Sequence, residues 1–324
     1  MKLYAGIGCI ALIFNNRFQF ISYIQFMKVL VTGANGLLGQ HLIRQLVDEG
    51  KFVIHATGKG PSRLSYGEKN GVTYHQLDIT DFKRSQALVE KISPHILIHA
   101  AAVTQPNDCA ADKTTCWKTN VGATRTLLKA AQKAKSYFIY VSTDFVFEGN
   151  EVKLLKEDDV AKPINVYGQT KLDGELALAK ILPQHYIIRT SWLYSEYANN
   201  FVKTMLKLGA ERDELNIIAD QVGTPTYAID LANAIFDIIA LGNENYGTYH
   251  YSNEGVTSWF DFAAAIFAAH RLKVSLQAVS SSSWQSAVSR PQYSVLDCSK
   301  FSDTFAIAQP QWQNALAQLT KENA

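Results

Sequence analysis

From residue 27 onward, short apolar runs alternate with longer segments whose apolar residues recur at helical spacing. Runs such as "KVLVTG", "FVIHAT" and "YFIYVST" are apolar throughout, whereas "LLGQHLIRQLVDEG" and "DFKRSQALVEKI" have a period near 3.6. Apolar strands joined by helices are typical of a parallel sheet that is covered on both faces. The pattern therefore predicts an α/β fold with a doubly wound parallel sheet and six strands before residue 190.

Two residues mark helix ends within this pattern. Gly50 follows the first helical segment and suits a left-handed C-terminal position, and Asp81 precedes the second and suits an N-cap. After Arg189 the alternation weakens. Helices are predicted over 199–215, 228–242 and 258–272, a strand and turn over 246–255, and a loop at the serine run 280–283. This predicts a nucleotide-binding domain over 27–190 and, over 191–324, a smaller and mainly substrate-binding α/β lobe, with chain crossings between the two.

Residues 1–26 form a separate apolar extension. Its uncharged part, Leu3 to Phe14, is too short for a membrane-spanning helix, and no small-x-small cleavage site follows it. Residue 27 is a second Met, and "MKVLVTG" is a natural beginning for a nucleotide-binding domain. We expect Met27 to be the native start, with a true N-terminal anchor as the alternative.

Composition excludes several classes of protein. The net charge of +2 and the absence of a Lys/Arg run argue against nucleic-acid binding. The four cysteines are scattered, and none forms a C-x-x-C pair, so the sequence suggests neither a zinc site nor a disulfide framework. We expect a cytoplasmic protein with no membrane partner.

Three glycines follow the first strand and enter the first helix: Gly33, Gly36 and Gly39 in "VTGANGLLGQHL". Such a loop turns tightly, brings backbone close to a pyrophosphate and aims the positive end of a helix at it. A strand before and a helix after make this a strong signal for a Rossmann-type dinucleotide site. The spacing is G-x-x-G-x-x-G rather than G-x-G-x-x-G.

The end of the second strand predicts which dinucleotide is bound. NAD is usually recognised there by an acidic residue that binds the ribose 2′-hydroxyl, but "HATGKGPSR" supplies Thr57, Lys59, Ser62 and Arg63. Cationic side chains suit a 2′-phosphate, so we predict NADPH, with NADH less favoured. The alternative is that Lys59 and Arg63 are solvated loop charges. Asp78, after the third strand, is predicted to accept the adenine amino group, or alternatively to cap a helix.

The catalytic candidates are Thr143, Tyr167 and Lys171. Thr143 ends the fifth strand, where a doubly wound sheet has its ligand crevice, and the helix bearing Tyr167 and Lys171 follows. The two residues are four apart, which puts them on one helix face. Carbonyl reduction needs a proton donor for the oxygen. Here a phenol could serve, with an ammonium lowering its pKa from about 10 to roughly 7 and a hydroxyl bonding the same oxygen.

The glycine loop, the strand-end Thr and the Y-x-x-x-K pair resemble the extended short-chain dehydrogenase/reductase superfamily. Within it, the chain is most similar to the dTDP-4-dehydrorhamnose reductase branch. The similarity is carried by "HAAAVT", "STDFVFEG", "PINVYGQTKLDGE", "RTSWLY", "NNFVKTML", "DQVGTPT", "SRPQYSVLD" and "QPQWQNAL". It runs from Met27 nearly to the end of the chain.

The resemblance implies a role for each matching residue. Tyr167 is the general acid, Lys171 its electrostatic partner and a ligand of the cofactor ribose, and Thr143 the carbonyl hydrogen-bond donor. Asn120 matches the position that supports the active-site helix. The predicted cofactor residues are Gly33, Asn35, Gly36, Leu37, Leu38, Gly39, Thr57, Lys59, Ser62, Arg63, Asp78, Ile79, Ala100, Ala101, Ala102, Asn120, Tyr167 and Lys171. The substrate candidates are Thr104, Asp144, Phe145, Trp192, Asn200 and Arg290.

Two of the substrate assignments have structural alternatives. Trp192 suits stacking on the apolar face of a deoxysugar but also suits a core, and Arg290 suits a diphosphate but also a surface salt bridge. One loop departs from the family pattern: the acidic pair in V-D-x-x-E is replaced in Pro106-Asn107-Asp108-Cys109-Ala110. We predict no metal residues, and whether a divalent metal is required stays open.

The resemblance implies NADPH-dependent reduction of the 4-keto group of a nucleotide-linked 6-deoxy sugar, as in dTDP-L-rhamnose synthesis for polysaccharide. A nucleotide-sugar epimerase or dehydratase is an alternative, because such enzymes share the same triad. A second alternative is an NADP-binding regulatory subunit resembling that of methionine adenosyltransferase. A homodimer is plausible for the superfamily, but the sequence leaves the oligomeric state, the nucleotide base and the sugar open.

Overall fold

The structure is a computed structural model that describes residues 5–6, 9–14, 17–22, 27–242, 244–283 and 288–322. The expectation about residues 1–26 falls largely outside these ranges. Within them, three short strands precede Met27 and pair with one another in an antiparallel sheet: Ala5–Gly6, Cys9–Phe14 and Arg17–Ser22.

A seven-stranded parallel sheet organises the rest of the chain. Its strands, in chain order, are β1 Met27–Thr32, β2 Phe52–Gly58, β3 Val72–Gln76, β4 Ile96–His99, β5 Tyr137–Thr143, β6 His185–Thr190 and β7 Gly247–His250. The spatial order is β7-β6-β5-β4-β1-β2-β3. The order reverses between β1 and β4, which confirms the doubly wound parallel sheet and places the ligand crevice at their carboxyl ends.

Helices cover both faces of this sheet and build the second lobe. They are α1 Leu37–Glu49, α2 Phe82–Ile92, α3 Pro106–Ala111, α4 Lys113–Trp117, α5 Thr124–Ala134, α6 Val166–Ile181, α7 Phe201–Glu211, α8 Ala228–Leu241, α9 Trp259–Ala269, α10 Ser299–Phe305 and α11 Trp312–Glu322. Short 3₁₀ turns lie at Glu68–Asn70, Asp144–Val146 and Ser281–Ser283. Among the described residues, no helix is both long enough and apolar enough to cross a membrane.

Three two-stranded sheets complete the second lobe. They pair Leu193–Tyr194 with Thr226–Tyr227, Glu214–Ile218 with Ser275–Val279, and Val222–Gly223 with Thr257–Ser258. The predicted helix over 199–215 is therefore too long, because the chain leaves α7 at Arg212 and begins a strand at Glu214. The two residues predicted to mark helix ends are confirmed. Gly50 adopts φ +64 after α1, and the Asp81 carboxylate accepts from Arg84 N at the start of α2.

The chain returns from the second lobe to the central sheet. α8 packs on α1, β7 pairs with β6, and Leu231, Ile235 and Phe301 lie in the same apolar cluster as the β1 core. An aromatic-rich strand far along the sequence thus becomes an edge strand of the nucleotide-binding sheet.

The segment after β4 corrects the expectation about cysteines. It forms the two short helices α3 and α4, and the turn at Asp112 between them brings Cys109 and Cys116 into a disulfide. The two cysteines are seven residues apart, so no C-x-x-C motif predicts their pairing. The turn at Asp112 is what brings their side chains together. Both cysteines are buried against Tyr167.

Gly39 gives a test of how tightly α1 packs on the glycine loop. A Cβ atom at Gly39 would overlap the Gly33 carbonyl oxygen and lie 2.7 Å from Ala34 Cα. Because backbone cannot move aside cheaply, we expect Gly39→Ala to lower the free energy of unfolding by roughly 1–3 kcal/mol in urea denaturation without ligand. Gly67→Ala is the control, since Gly67 has φ −143 and open space around it. Equal stabilities of the two variants would contradict this packing.

Candidate active site

One large cleft runs along the carboxyl ends of the central strands and is closed on its other side by segments that follow residue 190, among them Trp192, Asn200 and Trp259. Its volume is about 2010 Å³, more than the few hundred to about a thousand Å³ of a pocket for one small ligand. The predicted residues that line it are Gly33, Asn35, Gly36, Leu37, Leu38, Gly39, Thr57, Lys59, Arg63, Asp78, Ile79, Ala100, Ala101, Ala102, Thr104, Thr143, Asp144, Phe145, Tyr167, Lys171, Trp192, Asn200 and Arg290. The cleft has room for a dinucleotide and a second ligand together.

The glycine loop forms a cradle for an anion. Gly33 has φ +73, and a Cβ there would lie 2.7 Å from Ala101 N, so this position requires glycine. Gly36 is the N-cap of α1 and provides no side-chain cap, and the first turn of α1 contains no acidic residue. The first N–H groups of α1 therefore remain available to a phosphate at the positive end of the helix.

Asn35 fastens this loop to the loop that follows β2. Its amide donates to Pro61 O and Tyr74 Oη, both at 2.9 Å, and its Oδ1 accepts from Arg63 N at 2.9 Å. Tyr74 Oη in turn donates to Gly60 O at 2.9 Å. The side chain of Asn35 thus holds the segment carrying Lys59 and Arg63 beside the glycine cradle.

Asp78 does not cap α2, because Asp81 has that role. Its Oδ1 accepts from Thr80 N at 2.9 Å and Thr80 Oγ1 at 2.8 Å, and its Oδ2 lies 3.4 Å from Lys59 Nζ. Burial acts to raise the pKa of Asp78, but the bonds from Thr80 and Lys59 outweigh it and lower the pKa. Asp78 thus stays ionised beside Lys59, and its contact with adenine stays a prediction.

The three catalytic candidates converge at the end of β5. Thr143 and Lys171 are 5% and 3% exposed, and Tyr167 is 8% exposed. Thr143 Oγ1 donates to Asp144 Oδ1 at 3.0 Å, and the Thr143 hydroxyl acts to lower the pKa of the neighbouring Tyr167 phenol. Lys171 Nζ donates to Val141 O at 2.6 Å. The three side chains share a dry corner of the cleft.

The electrostatics of this corner differ from the sequence expectation. Burial raises the pKa of Tyr167 far above its ordinary value, and the hydrogen bond with Thr143 offsets only part of that rise. Burial also lowers the pKa of Lys171 to about 7, against an upward influence of Glu175. The predicted fall of the tyrosine pKa is therefore wrong for the chain without ligands, because removal from water outweighs the Thr143 hydrogen bond and the Asp144 carboxylate raises the pKa further.

Two predicted cofactor residues do not line the cleft. Ser62 lies in the exposed loop after β2, where its hydroxyl accepts from Leu64 N at 3.2 Å. Asn120 is 1% exposed and sits in a π-helical turn, Lys118–Ala123, between α4 and α5. Its amide donates to Val103 O and Thr170 Oγ1, both at 3.0 Å, so it joins the loop after β4 to α6. Asn120 supports the active-site helix from behind.

On the substrate side, Asp144 is 2% exposed, and burial raises its pKa to about 6. Phe145 packs edge-on against Tyr167, with ring centroids 5.6 Å apart. Arg290 Nη2 donates to Asn107 Oδ1 at 3.1 Å, across the loop where the family pattern has an acid. Asn200 is the N-cap of α7, where it accepts from Lys203 N and donates to Ser195 O at 2.6 Å. A structural cap therefore already uses the Asn200 amide.

Trp192 both lines the cleft and packs on a neighbour. Its ring stacks on Trp259 with centroids 3.5 Å apart and planes within 7°, and its backbone has φ +45. A Cβ at Gly223 would lie 2.6 Å from Trp192 Cε2. One face of the indole is therefore committed to packing. Across the described residues, no group of three or more His, Cys, Asp or Glu is arranged to hold a metal ion.

Glu175 is a charged residue of this corner that the sequence prediction missed. It follows Lys171 by four residues on α6, is 3% exposed and pairs with Arg189 Nη2 at 2.7 Å. The available signal was the spacing itself, because residues 167, 171 and 175 share one helix face. A buried charge on that face implies a buried partner.

The parallel sheet, the glycine cradle and the Thr143, Tyr167 and Lys171 constellation define an extended short-chain dehydrogenase/reductase. Within that class, the chain belongs to the family described as "RmlD substrate binding domain", whose model matches residues 27–324.

Individual relatives agree with this family. A dTDP-4-dehydrorhamnose reductase of Aggregatibacter actinomycetemcomitans is 35% identical over 302 residues, which cover 90% of this chain and 98% of the relative. Spore coat polysaccharide biosynthesis protein SpsK of Bacillus subtilis is 34% identical, covering 92% and 98%. The crystal structure of dTDP-4-dehydrorhamnose reductase from Bacillus anthracis in complex with NADP has a TM-score of 0.82 at 36% identity, covering 91% of this chain and 99% of that one.

Arg63 tests the cofactor assignment. If its guanidinium binds the 2′-phosphate, Arg63→Ala should raise the dissociation constant for NADPH roughly tenfold and leave that for NADH nearly unchanged. Fluorescence titration with each nucleotide measures both constants. Lys69→Ala is the control, since Lys69 is an exposed cation that does not line the cleft. Equal effects on NADPH and NADH would refute this role for Arg63.

Proposed function

We propose that this protein is an NADPH-dependent reductase of the 4-keto group of a dTDP-linked 6-deoxy sugar, the reaction of dTDP-4-dehydrorhamnose reductase. The observation that carries the proposal is the convergence of Thr143, Tyr167 and Lys171 beside a glycine cradle in one cleft. Relatives named dTDP-4-dehydrorhamnose reductase, 31–35% identical over most of the chain, support the choice of sugar nucleotide. The product would enter dTDP-L-rhamnose and polysaccharide synthesis.

The residues present fit NADPH. The tight turn at Gly33, with φ +73, and the uncapped start of α1 suit the pyrophosphate, and Lys59 and Arg63 suit the 2′-phosphate. When bound, NADPH supplies the hydride. The nucleotide sugar would occupy the remainder of the cleft, where Arg290 supplies a cation for its diphosphate.

The protein side chains handle the proton. Because burial raises the pKa of Tyr167, the phenol keeps its proton at neutral pH and can donate it to the carbonyl oxygen. Thr143 would turn its one hydroxyl hydrogen from Asp144 Oδ1 to the same oxygen and supply a second hydrogen bond there. The tyrosinate left behind is costly in a dry site, and the Lys171 ammonium stabilises it.

The alternatives use the same triad in other ways. An epimerase or dehydratase keeps NAD tightly bound and takes its hydride back, whereas the cations Lys59 and Arg63 favour NADPH. A regulatory subunit binds NADP without turnover, whereas the intact, buried catalytic trio favours an enzyme. Our proposal also includes a cytoplasmic location and a homodimer, the latter testable by light scattering.

Tyr167→Phe tests the proton donor. Loss of the hydroxyl should lower kcat by roughly 10²-fold or more, as expected for removal of a general acid, while the NADPH dissociation constant changes little. The assay is NADPH oxidation with dTDP-4-dehydro-6-deoxy-L-mannose, and Tyr66→Phe, outside the cleft, is the matched control. Absence of NADPH consumption over a panel of keto-sugar nucleotides would contradict the proposal.

A further inference from the structure

Behind the catalytic lysine lies a buried set of charges that the proposed mechanism does not use. Glu175 Oε1 accepts from Ser142 Oγ at 2.5 Å, and its two oxygens accept from Arg189 Nε at 3.0 and 3.2 Å. Arg189 Nη2 donates to Glu175 Oε2 at 2.7 Å. Glu175 and Arg189 are 3% and 6% exposed, so their positions are fixed by each other rather than by solvent.

This set is tied to the catalytic strand and helix. Ser142 precedes Thr143 on β5, and Arg189 is its register partner on β6. Glu175 follows Lys171 by one turn of α6. The carboxylate therefore bridges the two elements that carry Thr143 and Lys171, and it sets a buried negative charge one helical turn beyond the lysine.

We propose that Glu175 is a positioning residue for catalysis: held one turn beyond Lys171 on α6, its carboxylate stabilises the ammonium that Lys171 Nζ presents at Val141 O. Arg189 and Ser142 hold the carboxylate in the orientation that this requires. The inference rests on the proposed function only in treating Lys171 as the working cation.

Among the described groups around Lys171, Asp144 after β5 has a pKa of about 6 and is largely ionised at neutral pH, but it bonds to Thr143. The others supply no anion. From β4, His99 is buried, and burial together with Lys171 lowers its pKa to about 3, so it is neutral. From β5, the Tyr140 ring lies 3.9 Å below Lys171 Nζ, and burial holds its phenol protonated. From the same helix, Tyr167 is also protonated. Glu175 is the neighbour that acts against burial to raise the lysine pKa.

Behind Glu175, the titratable neighbours are Arg189 and His250. Arg189 Nη1 also donates to Glu157 O at 3.2 Å. His250 is 3.4 Å from Arg189 Nη1, and burial with this cation lowers its pKa to about 3, so it is neutral as well. Removing the Glu175 charge therefore leaves Lys171 facing an unbalanced guanidinium.

The test is a titration of Lys171 in the free protein, followed by NMR of lysine labelled at Cε and assigned with Lys171→Met. We expect Glu175→Gln to lower the lysine pKa by about one unit or more, the usual effect of one close charge. Glu211→Gln, an exposed charge change on α7, should leave it unchanged. An unchanged lysine pKa in Glu175→Gln overturns the inference.

A second variant separates this role from simple charge pairing. Glu175→Gln combined with Arg189→Gln removes both charges of the buried pair and leaves no unpaired guanidinium, so it tests the inference even if the single variant fails to fold. We expect its lysine pKa to stay below that of the natural chain, whereas a return to the natural value would mean that Glu175 only balances Arg189. In both variants, the decrease of kcat/KM at alkaline pH should begin at a correspondingly lower pH than in the natural chain. The NMR result needs no sugar substrate, so failure of the proposed reaction would not be confused with failure of this inference.

Discussion

The close approach of helix α6 to strand β5 is the constraint on which the site depends. A Cβ atom at Gly168 would overlap the Phe145 carbonyl oxygen, and one at Gly174 would overlap the Tyr140 hydroxyl. Only glycine at these two positions allows the helix to lie so near. This close packing of α6 brings the Tyr167 phenol near Thr143. It also places the Lys171 ammonium over the Tyr140 ring and beside the Val141 carbonyl.

Burial follows from this packing and sets the chemistry. A phenol and an ammonium that share a dry corner are both pushed toward their neutral forms. For the tyrosine this preserves the proton that a carbonyl reduction consumes. For the lysine it is a cost, which the Glu175 carboxylate offsets. The buried Glu175–Arg189 pair joins β5, β6 and α6 at the point where the catalytic side chains emerge.

Local patterns predicted much of the fold and the site. Apolar runs and helical spacing give the parallel sheet, and the glycine loop and the Tyr167–Lys171 spacing carry chemistry that depends on neighbouring residues. Contacts that depend on how the chain turns or returns to the sheet could not be predicted from such patterns. The disulfide arises from a turn at Asp112, and β7 joins the sheet across a long stretch of chain. Asn200, a predicted substrate residue, caps α7, a role that a polar residue before a helix often has, and its contact with a substrate stays a prediction.

Hydride transfer to the sugar is the most direct test of the central claim. NADPH with both C4 hydrogens of the nicotinamide replaced by deuterium would be incubated with dTDP-4-dehydro-6-deoxy-L-mannose, and the sugar product would be analysed by mass spectrometry and NMR. We predict one deuterium at sugar C4 for each NADPH oxidised. Label that stays in the nucleotide while the sugar changes configuration would contradict a reductase and indicate an epimerase.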